Sequence, residues 1–206
     1  MTRPQAATDV HPTSQALVDL VVRGMWIGSP TPELKALVDD GLALVKGSVV
    51  LPGPGAEAAV RQVLRLPAGS GTEAQVSALY EAFLPINARL RDICTAWQRR
   101  PDGSANDHQD LEYDAGVRDD LDDVHEAVAP ILRRLGKAVP RLARFPVLLQ
   151  AALDRLDDGN PAWFTSPMCD SYHTVWMHLH QELILALGID RAEDTARERL
   201  AVGGAG

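Results

Sequence analysis

Three histidines and a tryptophan lie in one segment, Asp170–Gly188, whose pattern predicts a helix. Asp170 or Ser171 can cap its first turn, and Gly188 can end it. At about 100° per residue, His173 and His180 lie within about 20° of each other on the helix surface. Their face also carries Trp176, Met177, Ile184 and Leu187. We therefore expect two ionisable rings to point toward the core, where an imidazole can act as a general base.

The opposite face of this helix carries His178 and Glu182, which we expect to face solvent. Replacement of His178 should then affect neither folding nor function. His173 and His180 should matter for ligand binding or turnover more than for folding. The alternative is that each is a core histidine bonded to a carbonyl or carboxylate, but two such rings on one face favour a pocket.

A second group of polar side chains, NDHQDLEYD at Asn106–Asp114, precedes another predicted helix. The structural explanation is capping of that helix, in which Asn106, Asp107 or Asp110 accepts bonds from the first-turn amides and acidic groups complement the dipole. We favour this explanation for Asp110 and Asp114. The functional explanation is that Asp107 or Tyr113 turns toward the two inner histidines and orients one of them.

The candidate site therefore combines both segments. The candidate catalytic residues are His173, His180, Asp107 and Tyr113. The candidate ligand-binding residues are Trp163, Trp176, Asn106, His108, Asp170, Tyr172 and His125. The two tryptophans can stack on a ligand or belong to the core, and His125 can join the pocket or pack.

The sequence lacks the usual motifs for metal binding, cofactor binding and nucleophilic catalysis. The three histidines follow HxxxxHxH rather than HExxH, and the two inner ones are about 10 Å apart along the axis. Cys94 and Cys169 have no CxxC spacing, so we expect reduced thiols. No motif supports Cys169 or Ser171 as a nucleophile, and no phosphate-binding glycine loop occurs. We expect neither a metal nor a cofactor.

Composition and charge limit the partners. The formal charge is -8 and the pI is near 5.2, which works against binding to nucleic acid or an anionic membrane. No apolar run reaches the length of a membrane span, and the start MTRPQAATDVHPTSQ lacks the apolar stretch of a secretory signal. We expect a cytoplasmic protein that binds a small molecule, and we leave open whether it forms a homodimer or binds a partner enzyme.

The element pattern predicts a mainly α fold with a small winged-helix-like unit followed by a helical bundle. We place a flexible N-terminus at 1–14, the winged-helix-like domain at 15–67, the bundle at 73–194 and a flexible tail at 195–206. The first domain reads as helix, turn, helix, two short extended segments and helix. The bundle helices are predicted at 73–98, 111–137, 141–156 and 172–187, with Pro85 and Pro130 expected to kink or divide two of them.

The segments INARLRDICTAWQ, NDHQDLEYD and DSYHTVWMHLHQELILALG, together with the predicted N-terminal unit, resemble actinobacterial pyruvate phosphate dikinase-like, or phosphoenolpyruvate-utilising, proteins. The resemblance is to their C-terminal region and covers roughly Gln15–Asp194. Because the ATP-grasp and phosphohistidine parts of those proteins are absent here, phosphotransfer is not implied. The resemblance implies a separable accessory or ligand-binding module.

The N-terminal unit also resembles winged-helix regulators of the MarR type, on the stretch LVVRGMWIGSPTPELKALVDDGLALVKGSVVLPGPGAEAAV. It departs from them where DNA contacts are made. One short helix stands where a helix-turn-helix needs two, that helix ends in Asp39 and Asp40, and the wing SVVLPGPG has no arginine. We expect no specific DNA binding.

Three functions follow, in order of preference. The first is a small-molecule-binding accessory protein with a pocket in the helical domain. The second is a cofactor-free acid–base enzyme, of isomerase, cyclase or lyase type, that uses the same pocket. The third is a transcription regulator.

Overall fold

The protein is largely helical. Its computed structural model describes residues 12–203, and it has 70% helix and 6% strand, which confirms the prediction of a mainly α fold. The chain forms two compact units. Unit 1 comprises the described residues up to Pro67 together with His180–Gly188, and unit 2 comprises Ala68–Leu179 together with the described residues from Ile189. None of the described helices combines the length and the apolar character needed to cross a membrane.

Unit 1 combines three helices with a small antiparallel sheet. Its elements are α1 (Pro12–Arg23), β1 (Trp26–Ile27), α2 (Pro32–Asp39), β2 (Ala43–Lys46), β3 (Val49–Pro52) and α3 (Ala56–Leu64). Strand β3 lies in the centre and pairs with both other strands. Thr31 caps α2 by accepting a hydrogen bond from the backbone N–H of Leu34, and Pro32 follows in the first turn.

The sheet of unit 1 has one strand more than the sequence predicted. The two extended segments around Gly47 form β2 and β3, as expected, but Trp26 and Ile27 add β1 at the other edge of β3. Two residues are too few to show an alternating pattern in the sequence. Only their pairing with β3 identifies them as a strand. One short helix, α2, separates β1 from β2, in agreement with the predicted order.

Unit 2 contains the long helices. They are α4 (Gly71–Gln98), α5 (Leu111–Ala138), α6 (Arg144–Asp157), α7 (Ala162–Thr165), α8 (Tyr172–Leu187) and α9 (Arg191–Gly203), with a 3₁₀ turn at Pro140–Ala143 before α6; the last residues of α8 belong to unit 1. The four predicted bundle helices correspond to α4, α5, α6 and α8. The predicted apolar face of α5 is buried throughout: Leu121, Val124, Val128, Ile131, Leu132 and Leu135.

The two internal prolines do not divide their helices. Both α4 and α5 run for 28 residues, through Pro85 and Pro130 respectively. Each proline removes one backbone hydrogen bond, which costs about 3 kcal/mol in an isolated helix. The adjacent Leu84 and Ile131 are buried, and this packing holds each helix together across the lost bond.

The ends of the chain also differ from expectation. Where a flexible tail was predicted from residue 195, α9 continues to Gly203. Polar contacts with α4 hold it, and the sequence does not reveal them. At the other end, α1 begins at Pro12, inside the predicted flexible segment 1–14, and residues 1–11 lie outside the described residues.

Candidate functional site

Helix α8 does not divide into the two faces that its sequence predicts. His180 and Trp176 are buried as expected, but Glu182, expected to face solvent, is fully buried, and Met177, expected inside, is 45% exposed. His178 is half-buried rather than exposed. Because α8 is covered around most of its circumference, apolar periodicity does not locate one inner face.

Three predicted ligand-binding residues of unit 2 are part of its packing. The Nδ1 atom of His125 lies 3.2 Å from the hydroxyl of Tyr172, whose ring stacks on Trp176 at 6.0 Å between centroids. Trp176 in turn stacks on Phe83 at 4.9 Å. Tyr172 and Trp176 are almost completely buried. These rings therefore form a continuous stack within the packing of unit 2.

Burial disfavours the charged form of the half-buried histidines in this region. Burial is the main cause that lowers the pKa of His125 and the cause that lowers the pKa of His173. Among the described residues, no hydrogen bond or ion pair joins Asp107 or Tyr113 to His173, one of the two histidines toward which they were expected to turn. The Tyr113 hydroxyl instead lies within hydrogen-bonding distance of the backbone carbonyls of Ala96 and Arg99, at 3.0 and 3.3 Å.

Three further predicted residues, Trp163, Asp170 and Asp107, lie near the surface. Trp163 is half-buried beneath the guanidinium of Arg155, 5.8 Å from its ring centroid, and Asp170 is half-buried. Asp107 is exposed, with its carboxylate 3.9 Å from the Arg100 guanidinium. No described contact joins these three residues to one another.

A buried polar network in unit 2 was not predicted. Asn87 accepts a hydrogen bond from the Trp176 indole at 2.7 Å and donates one to Glu198 at 2.5 Å. Arg91 also donates to Glu198, and the Tyr80 hydroxyl donates to Asp194. The signal was present in the sequence, because Asn87 interrupts the apolar face of α4. Its partners on α8 and α9 are 89 and 111 residues away, so only the fold identifies them.

The polar segment between α4 and α5 is the most organised functional candidate. Asp110 caps α5 by accepting from the backbone N–H of Tyr113. That bond is the main cause that lowers the pKa of Asp110, and the hydrogen bond from the Arg100 guanidinium is the second cause. Asp114 was also predicted to cap, but its two carboxylate oxygens serve other residues. One oxygen accepts from the Asn106 side chain at 2.7 Å, and the other lies 2.9 Å from Nδ1 of His108.

The hydrogen-bond geometry assigns the protons of this group. The Asn106 amide has two hydrogens, and these are used by the Trp97 carbonyl at 3.1 Å and by Asp114. Nδ1 of His108 is then left to donate to Asp114, which places the proton of the neutral ring on Nδ1. If the Asn106 amide were flipped, its oxygen would face the Trp97 carbonyl and the Asp114 carboxylate, and neither of these groups can donate a hydrogen bond. Nε2 of His108 therefore carries the free lone pair.

The ring of His108 has an aromatic wall and an open side. It lies against Trp97 with 4.5 Å between ring centroids, and Trp97 stacks on the buried Phe164 at 4.3 Å. The side chain of His108 is 39% exposed, whereas that of Asp114 is 14% exposed. Within the described residues, Nε2 of His108 has no hydrogen-bond partner. The arrangement is a half-buried orienting carboxylate beside an imidazole whose second nitrogen is accessible.

The backbone of His108 is in the left-handed region, with φ of 58°, and no other described residue except glycine has a positive φ. For a side chain with a Cβ this conformation costs roughly 1–2 kcal/mol. The backbone N–H of His108 donates to the Asn106 side chain at 3.2 Å, which helps to hold the turn. The loop therefore holds His108 in a strained conformation in which its ring contacts Asp114.

This strain gives a stability prediction. The His108→Gly variant should be more stable than the His108→Ala variant by about 1 kcal/mol, because glycine adopts a positive φ without the Cβ penalty and both variants lack the ring. Urea unfolding followed by circular dichroism measures the difference. Equal stability of the two variants would show that position 108 carries no backbone strain.

A groove opens beside the same loop. Its volume is about 410 Å³, and its walls are formed by Asp92, Thr95, Ala96, Arg99, Arg100, Pro101, Gly103 and Tyr113. The guanidinium of Arg100 lies over the Tyr113 ring at 4.8 Å. The groove is large enough to accept a small molecule and offers it both an aromatic edge and cations.

Within the part of the chain that the structure describes, the cysteines stand apart from one another and from His108. Cys94 and Cys169 are both free, and burial raises the pKa of Cys94 to about 12. Among the described residues, no set of three histidine, cysteine, aspartate or glutamate side chains with ligand spacing includes His108. The chemistry available at this position is that of an imidazole paired with one carboxylate.

Comparisons of the chain with models of protein families, with curated proteins and with solved structures give no match.

Proposed function

We propose that unit 2 carries out cofactor-free acid–base chemistry on a small molecule, with His108 as the proton acceptor. The observation that carries the proposal is the 2.9 Å contact between Nδ1 of His108 and Asp114, together with the unpartnered Nε2 on the open side of the ring. This is the second of the three functions considered from the sequence, with different residues in the central roles.

The proposed mechanism uses four side chains. Asp114 holds the ring in the tautomer that leaves Nε2 unprotonated, and its negative charge stabilises the imidazolium that forms when Nε2 accepts a proton. Asn106 fixes the carboxylate, and Trp97 fixes the plane of the ring. Proton transfer by a positioned imidazole contributes about 10²- to 10⁴-fold in rate, which is appropriate for an isomerisation, cyclisation or elimination.

An activated ester tests whether Nε2 of His108 is available. p-Nitrophenyl acetate transfers its acetyl group to an imidazole nitrogen and releases coloured nitrophenolate, after which water hydrolyses the acetylimidazole to acetate. The rate above the buffer background should fall at least about tenfold in the His108→Gln variant. Absorbance at neutral pH measures this rate, and thermal unfolding checks that the variant is folded.

The matched control is His173→Gln. His173 is also half-buried and has no hydrogen-bond partner among the described residues, but no carboxylate orients it. Its replacement should leave the rate within about twofold of the unsubstituted protein. If a folded His108→Gln variant retained the full rate, or if His173→Gln lost as much, the proposed role of His108 would be wrong.

Ligand binding without chemistry is the second candidate function. It is favoured by the groove of about 410 Å³ at the end of α4, where Arg99 has no salt bridge or hydrogen bond to a described side chain. An anionic small molecule suits that guanidinium. In this case unit 2 is an accessory module, as the resemblance to pyruvate phosphate dikinase-like proteins implies. The N-terminal unit is then a winged-helix-like domain that does not bind DNA.

A further inference from the structure

The exposed face of α5 has separated charges of opposite sign. From Leu111 to Glu126 the helix contains seven carboxylates and one arginine, whereas residues 127–153 contain five lysine or arginine residues and no carboxylate. At about 100° per residue, six of the exposed charged side chains of α5 lie within about 100° of arc on the helix surface. We name them the α5 stripe: Asp119, Asp123 and Glu126 in the acidic half, and Arg133, Arg134 and Lys137 in the basic half.

Most charges of the α5 stripe form no ion pair within the part of the chain that the structure describes. Asp123 forms a salt bridge with Arg89 at 2.9 Å. For the other five members, no salt bridge or hydrogen bond of the side chain occurs among the described residues. Glu126 and Arg133 are seven residues, or about 10 Å, apart along the axis, too far for an intrahelical pair. The helix dipole explains charges in the first and last turns, but not those at Asp119, Glu126 and Arg133.

We propose that the α5 stripe is a self-complementary surface on which a second copy of this chain binds with its α5 antiparallel to the first. A two-fold axis near residue 128 would place Asp119 opposite the partner copy's basic end and Asp123 opposite Arg133 of the second copy, and symmetry repeats each pair. Pro130 is exposed between the acidic and the basic half and carries no charge. This inference is independent of the proposed chemistry at His108.

The surface predicts a weak and salt-sensitive dimer. Asp119 and Lys137 are about 27 Å apart along the axis, so the stripe buries less area than the roughly 1,200–2,000 Å² of a stable interface. Exposed ion pairs contribute little individually and are screened by salt. Sedimentation velocity at about 0.2 mM protein should detect dimers at about 20 mM salt, and the dissociation constant should rise at least about fivefold at about 0.5 M salt.

Charge reversal provides the decisive test in the full chain. The acidic-half variant Asp119→Lys with Glu126→Lys and the basic-half variant Arg133→Glu with Lys137→Glu should each be monomeric at low salt. An equimolar mixture of the two should form heterodimers, because the acidic-half variant then presents a mostly basic stripe and the basic-half variant a mostly acidic one. All four positions are exposed helix surface, so the fold should be retained.

The matched control is Lys35→Glu with Lys46→Glu on the exposed surface of unit 1, which changes the net charge as much as the basic-half variant does. It should still dimerise. A monomeric protein at low salt would overturn the proposal, as would failure of the two reversed variants to pair. If the control were equally monomeric, general repulsion would explain the loss. If only the basic-half variant lost self-association, the acidic half would have no role and the antiparallel pairing would be wrong.

Discussion

Replacing Asn87 with leucine is expected to lower the free energy of unfolding by about 3 kcal/mol. The side chain is 4% exposed and is bonded on both sides, to the Trp176 indole and to Glu198. Leucine would leave the indole N–H without its acceptor in the core and remove one donor from the carboxylate. A buried polar group left unsatisfied costs about 1–3 kcal/mol, and more when it is charged, and Arg91 offsets part of the loss at Glu198.

Urea unfolding measures this effect, and Arg89→Ala is the control on the same helix. Arg89 pairs with Asp120 and Asp123, but all three side chains are about half exposed or more, so its loss should cost less than about 1 kcal/mol. The double variant Asn87→Leu with Trp176→Phe should lose less than the sum of the single variants, because phenylalanine leaves no N–H to satisfy. Strict additivity, or a loss below about 1 kcal/mol for Asn87→Leu, would contradict the network.

Replacing Gly53 with alanine is expected to destabilise unit 1 by about 2 kcal/mol. A Cβ at this position would lie 2.6 Å from the Gly41 carbonyl oxygen and 2.9 Å from the Leu42 carbonyl carbon. These are backbone atoms that cannot rotate away as a side chain does. The Gly53 backbone N–H also donates to the Leu42 carbonyl at 2.8 Å, so a shift that relieves the clash disturbs this bond. Overpacking of this kind costs about 1–3 kcal/mol.

Hydrogen exchange of the β2 and β3 amides and urea unfolding together test this prediction. The control is the same substitution at Gly116, in the interior of α5, where a new Cβ meets no atom within 4 Å. Gly116→Ala should raise stability by about 0.5–1 kcal/mol, because alanine is the better helix former. If Gly53→Ala stabilised the protein as Gly116→Ala does, the close backbone approach at Gly53 would be wrong.

Local signals in the sequence accounted for most of the helices and for part of the site. The apolar spacing of α5 predicted its buried face from Leu121 to Leu135, and Thr31 with Pro32 marked the start of α2. The same kind of reasoning singled out Asn106–Asp114 as a crowded polar loop. It assigned Asp114 to capping, because a carboxylate near a helix start is most often a cap.

The sequence by itself determined the mainly helical fold, the four long helices of unit 2 and the polar loop between α4 and α5, because propensity, periodicity and capping act over a few residues. Only the tertiary structure decided which side of α8 is buried, that α9 docks on α4, and that Asp114 orients His108 rather than capping α5. Those outcomes depend on partners distant along the chain or on the exact path of a loop. The positive φ of His108 is the clearest case, since the surrounding hydrogen bonds, and not the preference of histidine, impose it.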